Sequence, residues 1–283
     1  MNLKTVIRPT RRQAAVLGAV AGVATLILTS TTGQASAARA TDRPTEAKPT
    51  VVLVHGAFAD SSSWNGVIER LRHDGYPVIA PANPLRGLAS DSEYIHSVLK
   101  SVSGPVVLVG HSYGGSVISE AAVDSPQVKA LVYVAAFAPD KGESALELSN
   151  KFPGSTLSAA LNPVSFPLPG GGTGTDLYIK ADKFHRQFAA DVPKPVTDLM
   201  AATQRPVAAS ALDEKATTAA WKTIPSWDLI TTQDYNIPPA SQRFMAQRAH
   251  AHTIEVNASH AVSVSHPGIV TRLIERAAFT TTR

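Results

Sequence analysis

The apolar run Val106-Val107-Leu108-Val109 breaks off into Gly110-His111-Ser112-Tyr113-Gly114-Gly115 and is followed at once by a helix-like stretch. Four β-branched or leucine residues in a row suit a strand buried on both faces, which is the habit of a parallel sheet. The G-x-S-x-G string after it is the pattern of a sharp strand-to-helix turn, in which glycines relieve Cβ clashes and a serine stands at the apex. One short stretch thus asks for a parallel α/β sheet and offers Ser112 as a candidate nucleophile.

The rest of the chain supplies the alternation that such a sheet needs. Residues 50–54 are a β-branched run leading into His55-Gly56-Ala57-Phe58, and Trp64, Val67, Ile68 and Leu71 recur at helical spacing before Gly75. Residues 78–80 read as a short strand, 91–101 as an amphipathic helix, 116–123 as the helix after the turn, and 128–137 as an apolar strand ending at Ala138-Pro139-Asp140. From about residue 142 to 223 the rhythm stops. This insertion, with its Pro-rich and Gly-rich pieces, is expected to hold two or three helices, near 175–190, 195–202 and 210–221, and to be too weakly apolar for another sheet. Strands at 226–232 and 253–256 and helices at 240–249 and 267–278 then restore the pattern. The fold class expected is α/β, a mostly parallel doubly wound sheet with a helical insertion, and ligands of such sheets bind at the carboxyl ends of the strands.

The first 37 residues read as a separate segment. Lys4, Arg8, Arg11 and Arg12 precede an uncharged, mostly apolar stretch from Ala14 to Leu28, and Ala35-Ser36-Ala37 is a small-x-small cleavage pattern, so a secretory signal peptide is expected. The apolar stretch, interrupted by Gly18 and Gly22, falls short of the roughly 20 residues of a membrane span, and no stable anchor is expected. Thr10-Arg11-Arg12 resembles a twin-arginine start, but Ala14 and Ala15 stand where a bulky apolar pair is preferred, which leaves the export route open. Residues 38–49 read as a disordered lead-in, and 50–283 as the folded domain.

The leader carries four basic residues and no acid, while the net charge of the chain is +4, so the remainder is close to neutral. Nothing in that balance calls for a nucleic-acid partner. The chain has no cysteine, which excludes disulfides, thiol nucleophiles and thiolate metal sites. No pair of histidines has the spacing and carboxylate company of a metal site.

A serine hydroxyl is a weak nucleophile at neutral pH and needs a base, a carboxylate to orient that base, and donors for the oxyanion it generates. Asp234, in Thr232-Gln233-Asp234-Tyr235-Asn236-Ile237-Pro238-Pro239, and His260, after Asn257-Ala258-Ser259, each follow an expected strand, in the order Ser, Asp, His known for such sheets. Asp140, also just past a strand, is the competing acid, whereas Asp228 falls inside a strand. The backbone N–H groups of Tyr113 and Ala57 are the candidate oxyanion donors. Phe58 and Trp64 are candidate pocket residues, with simple core packing as the alternative. His111 is expected to point away from the nucleophile, and His55 to support its own loop.

The strings V-L-V-H-G-A-F with a later Trp64, V-L-V-G-H-S-Y-G-G, A-A-F-A-P-D, and D-Y-N-I-P-P followed by S-H-A-V resemble the α/β-hydrolases, in particular the small esterases that include plant methylesterases and hydroxynitrile lyases. The resemblance covers roughly residues 50 to 275. It implies a lid over the site, no cofactor, and hydrolysis of small, partly apolar carboxylic esters through an acyl-enzyme. The lyases of that branch replace the glycine of the H-G pair with threonine and place a lysine directly after the catalytic histidine. This chain has Gly56 and Ala261, which favours the esterase over a cofactor-free lyase. The same motifs would also serve a perhydrolase working on this triad, or a non-catalytic ligand-binding protein that keeps the fold.

Overall fold

The computed structural model describes residues 47–281, so the expected export segment and most of the lead-in lie outside the described residues. The chain alternates through β1 (Thr50–Val54), α1 (Asn65–His73), β2 (Val78–Ile79), α2 (Leu88–Lys100), β3 (Val106–His111), α3 (Tyr113–Ala121) and β4 (Val128–Val134). A long segment follows with α4 (Ala145–Asn150), α5 (Leu157–Ala160), β5 (Leu161–Pro167), β6 (Thr173–Ile179), α6 (Ala181–Phe188), α7 (Lys194–Thr203), β7 (Val207–Ala208) and α8 (Ala209–Asp213). Then come β8 (Ser226–Thr231), α9 (Pro239–Arg248), β9 (His252–Val256), α10 (Val262–Ser265) and α11 (Pro267–Thr281).

Six strands form one sheet in the order β2-β1-β3-β4-β8-β9, and every pairing is parallel. Strand residues alternate between two apolar layers. Val52, Val54, Val106, Leu108, Leu131 and Tyr133 face α2, α3 and much of the long segment, while Val51, Leu53, Val107, Val109, Val132 and Val134 face α1 and α11. All six residues of β3 are buried, which is why its sequence shows no polar alternation. Each fully buried valine or leucine contributes about 1.5–3 kcal/mol relative to exposure.

The long segment differs from its expected all-helical form. β5, β6 and β7 make a three-stranded antiparallel sheet, and residues 175–179, expected to open a helix, belong to β6. Its hairpin turns through Gly170, Gly171 and Gly172, all at positive φ (88°, 103° and 86°). β5 is an exposed edge strand that tolerates Pro163 and Pro167, so it lacks the apolar density by which a strand is usually recognised. The helix expected at 210–221 is reduced to the five residues of α8 and a 3₁₀ turn at Ala220–Lys222, whereas α7 covers the helix expected at 195–202. The segment is fastened to the sheet domain by polar contacts. Gly87 offers no capping side chain at the start of α2, and the Glu214 carboxylate accepts from the N–H groups of Leu88 (2.5 Å) and Ala89 (3.3 Å) instead.

Candidate active site

At the end of β3 the chain reverses into α3 through Ser112, whose φ of 53° and ψ of −124° place a non-glycine residue outside the ordinary regions. Such a conformation costs of the order of 1–3 kcal/mol and persists only where the surroundings hold it. Here the Ser112 N–H donates to the Val134 carbonyl (3.3 Å), and the Ser112 carbonyl accepts from the N–H groups of Gly115 (2.9 Å) and Phe137 (3.1 Å). The turn leaves no room beside it. A methyl group at Gly115 would stand 2.2 Å from the Phe137 carbonyl oxygen, and one at Gly56 would stand 2.6 Å from Ser112 Cβ.

His260 and Asp234 meet near this turn, both buried, the His260 ring 4.8 Å from that of His111. His260 Nδ1 lies 2.7 Å from Asp234 Oδ2, so with the proton on Nδ1 the Nε2 lone pair is free. The same carboxylate oxygen accepts from Thr231 Oγ1 (2.9 Å) and Gln242 Nε2 (3.0 Å), and Oδ1 accepts from the N–H groups of Asn236 (2.8 Å) and Ile237 (2.9 Å). These bonds fill the carboxylate's acceptor positions and fix its orientation. Ser112 lines a cavity, and among the described residues its hydroxyl takes no protein hydrogen bond. Nucleophile and base often close to hydrogen-bond distance only when a substrate is bound.

The remaining expected residues separate into two groups. Ala57, Tyr113 and Phe58 line the cavity beside Ser112. The Phe58 N–H is committed to the Arg205 carbonyl (3.0 Å), while the Ala57 N–H has no partner among the described residues and Tyr113 opens α3, where helix N–H groups lack intrahelical acceptors. Trp64, by contrast, is not a pocket residue. It is fully buried on the opposite face of the sheet, among the residues of the α1 and α11 layer, with its ring edge-on to His111 at 6.2 Å. Asp140 pairs with Lys222 Nζ (2.5 Å) at a half-exposed turn, and the hydrogen bond from Lys222 holds its carboxyl below the usual range. Asp228 is buried within β8, and that burial pushes its carboxyl well above the usual range.

Two histidines that the sequence assigned no chemistry hold the site in place. His111 Nε2 donates to the His260 carbonyl (2.9 Å), and the two rings lie 4.8 Å apart. His55 Nδ1 donates to the Gly56 carbonyl (2.9 Å) and its Nε2 accepts from the Asn83 N–H (3.0 Å), which braces the loop carrying Ala57. Burial lowers His111 to about 3 and His55 to about 4. In the unfolded chain both titrate near 6.5, so between that value and about 4 the unfolded state binds protons that the folded state refuses. Stability is therefore expected to be full above about pH 6.5 and to fall on acidification, by something of the order of 2 kcal/mol per histidine at pH 4.5. Urea unfolding midpoints at pH 7.5 and 4.5 test this, and equal midpoints would contradict it.

The long segment reaches the site through α6, a feature not legible in the sequence. Phe188, buried, packs its ring 5.1 Å from His260, 6.2 Å from His111 and 6.4 Å from Phe58, and its carbonyl accepts from the Ala261 N–H (2.9 Å). Asp191 accepts from the Ser259 hydroxyl and from the Ser259 N–H (3.2 Å), and Gln187 Nε2 donates to the Tyr235 carbonyl (2.8 Å). The histidine and acid loops are thus both held from the same side. The cavity itself encloses about 120 Å³, and Phe58, Phe137, Leu146, Leu161, Leu177 and Leu212 give it mostly apolar walls.

A parallel sheet with a serine-bearing turn after a central strand, and an aspartate and a histidine on loops past later strands, is the layout of a hydrolase sheet. The chain belongs to the α/β hydrolase family, whose model matches residues 51–273. The α/β hydrolase nvfD of Aspergillus novofumigatus is 30% identical over 258 residues, covering 82% of this chain and 97% of that protein. A carbendazim hydrolyzing esterase of a Nocardioides species is 32% identical over 133 residues, 39% of this chain and 55% of that esterase. Among solved structures, polyneuridine aldehyde esterase superposes with a TM-score of 0.70 over 81% of this chain and 98% of its own, at 18% identity, a likeness of fold.

Proposed function

We propose that this hydrolase is an exported serine esterase that cleaves small carboxylic esters through an acyl-enzyme on Ser112, Asp234 and His260. The observation that carries the reading is the buried 2.7 Å contact between Asp234 and His260, whose ring lies 4.8 Å from that of His111, the residue before a serine held at φ 53° in the wall of an apolar cavity. His260 Nε2 takes the Ser112 proton as Oγ bonds to the ester carbonyl carbon, and the Ala57 and Tyr113 N–H groups receive the negative charge on the carbonyl oxygen. Collapse of this adduct breaks the bond to the alkoxy oxygen, which leaves with the proton from His260. Water, deprotonated by His260, then attacks the acyl carbon, the acid departs, and the proton returns to Ser112. Asp234 holds the ring and faces the imidazolium formed in each half-reaction.

At about 120 Å³ the cavity is small beside the roughly 300–1,000 Å³ of sites for drug-sized ligands, which favours short acyl groups. The segment at 142–223 acts as the lid, since α4, α5, β5, β6 and α8 all contribute to the cavity wall. Gly56 and Ala261 speak against cyanohydrin lysis, which in the related lyases uses a lysine after the histidine. The chain from residue 38 onward is expected to release p-nitrophenol from p-nitrophenyl butyrate and no cyanide from mandelonitrile. Cyanide release at a rate matching ester hydrolysis would overturn the choice between these reactions.

A further inference from the structure

Asn236 is held at every polar atom except one. Its N–H donates to Asp234 Oδ1 (2.8 Å), and its carbonyl accepts from the hydroxyls of Ser149 (2.9 Å) and Ser155 (3.0 Å). Its side-chain oxygen accepts from Gln187 Nε2 (2.8 Å). The orientation of that amide follows from the chain of contacts. The Tyr235 carbonyl can only accept, so the Gln187 atom 2.8 Å from it is the nitrogen, and the same nitrogen must meet an oxygen on Asn236. Asn236 Nδ2 is then the atom left over, and among the described residues it has no partner although the residue is only 3% exposed.

Asn236 lies in the wall of the cavity that Ser112 lines. Among the described residues of that wall, two buried polar side chains have an atom without a partner, the Ser112 hydroxyl, which is the reacting group of the proposed mechanism, and Asn236 Nδ2, which alone of the two is shielded from water. An unpaired buried donor is costly, of the order of 1–3 kcal/mol, and a site built around one discriminates strongly for a ligand that supplies the missing acceptor.

We propose that Asn236 Nδ2 is a specificity-determining donor, and that the preferred substrates are short esters carrying a second acceptor oxygen, an ether, keto or hydroxyl group, on the part that enters the apolar cavity. This rests on the esterase reading of the same site. The donor sits two residues from Asp234, so the substrate's second oxygen docks against the loop that orients His260.

The test is an oxygen scan with p-nitrophenyl esters of a six-atom acyl chain, in which one methylene at a time is replaced by an ether oxygen. Wild-type protein is expected to favour one oxa-ester over the all-carbon parent by about fivefold to tenfold in kcat/KM. In Asn236→Leu and in Asn236→Asp, which keeps the oxygen facing Gln187 but lacks the donor, that ratio is expected to fall to about one. No position favoured by more than about twofold in the wild type, or a preference that survives both substitutions, overturns the inference. Binding of the matching methyl ketones, measured by calorimetry, gives the same ratio without turnover. Absence of hydrolysis for every ester would sink the esterase reading, while the ketone ratio would still decide the role of Asn236.

Discussion

Ser112→Ala is expected to lower kcat for a short aryl ester by about 10⁵- to 10⁶-fold while leaving the protein folded. In the proposed mechanism the hydroxyl is the group that forms the acyl bond, and neither Asp234 nor His260 could replace it from the interior, since both are buried. Stability is expected to change little, because the hydroxyl takes no protein hydrogen bond among the described residues and alanine carries the same Cβ into the same backbone. A small residual rate would come from the Ala57 and Tyr113 donors and from substrate positioning. Kinetics of the purified variant beside its thermal melting curve separate the two effects. A folded variant retaining more than about 1% of wild-type activity would contradict the assignment.

Asp234→Asn is expected to cost about 10³- to 10⁴-fold in kcat, and Asp140→Asn less than about twofold. An amide at 234 cannot accept with both ends. Its NH₂ must face either the N–H groups of Asn236 and Ile237 or the cluster of His260, Thr231 and Gln242, all of which donate to the carboxylate. In one orientation the imidazole loses its acceptor and turns its proton to the wrong nitrogen, and in the other the loop backbone is left unpaired. Asp140 spends its charge on Lys222 at a half-exposed turn, a pairing of the kind worth at most about 1 kcal/mol. The reverse ranking of the two variants would transfer the acid role to Asp140.

What could be read from the chain was what local pattern dictates. β3 is buried on both faces, so its apolar run has no competing explanation, and the glycines of the following turn answer to close backbone contacts, Gly114 against Val54 and His55 and Gly115 against Phe137. The loops of Asp234 and His260 were legible because each follows a short strand of the same sheet. Trp64 was not, since the 3₁₀ turn at Ser61–Trp64 decides which face its ring enters, and apolar content is equal evidence for either face. The β5–β6 hairpin lacks apolar alternation because much of its surface meets water. Phe184 and Phe188 form an apolar i, i+4 pair on α6, but only tertiary packing reveals that Phe188 abuts His260. The position of Asn236 in the cavity wall is equally a matter of long-range packing.

Covalent trapping tests the central claim most directly. Treated with a fluorophosphonate ester, the wild-type protein is expected to take up one phosphonyl group, located by peptide mass spectrometry on Ser112, with esterase activity falling in step with labelling. A protein that stays active without an adduct, or that loses activity through an adduct on another residue, would contradict Ser112 as the nucleophile.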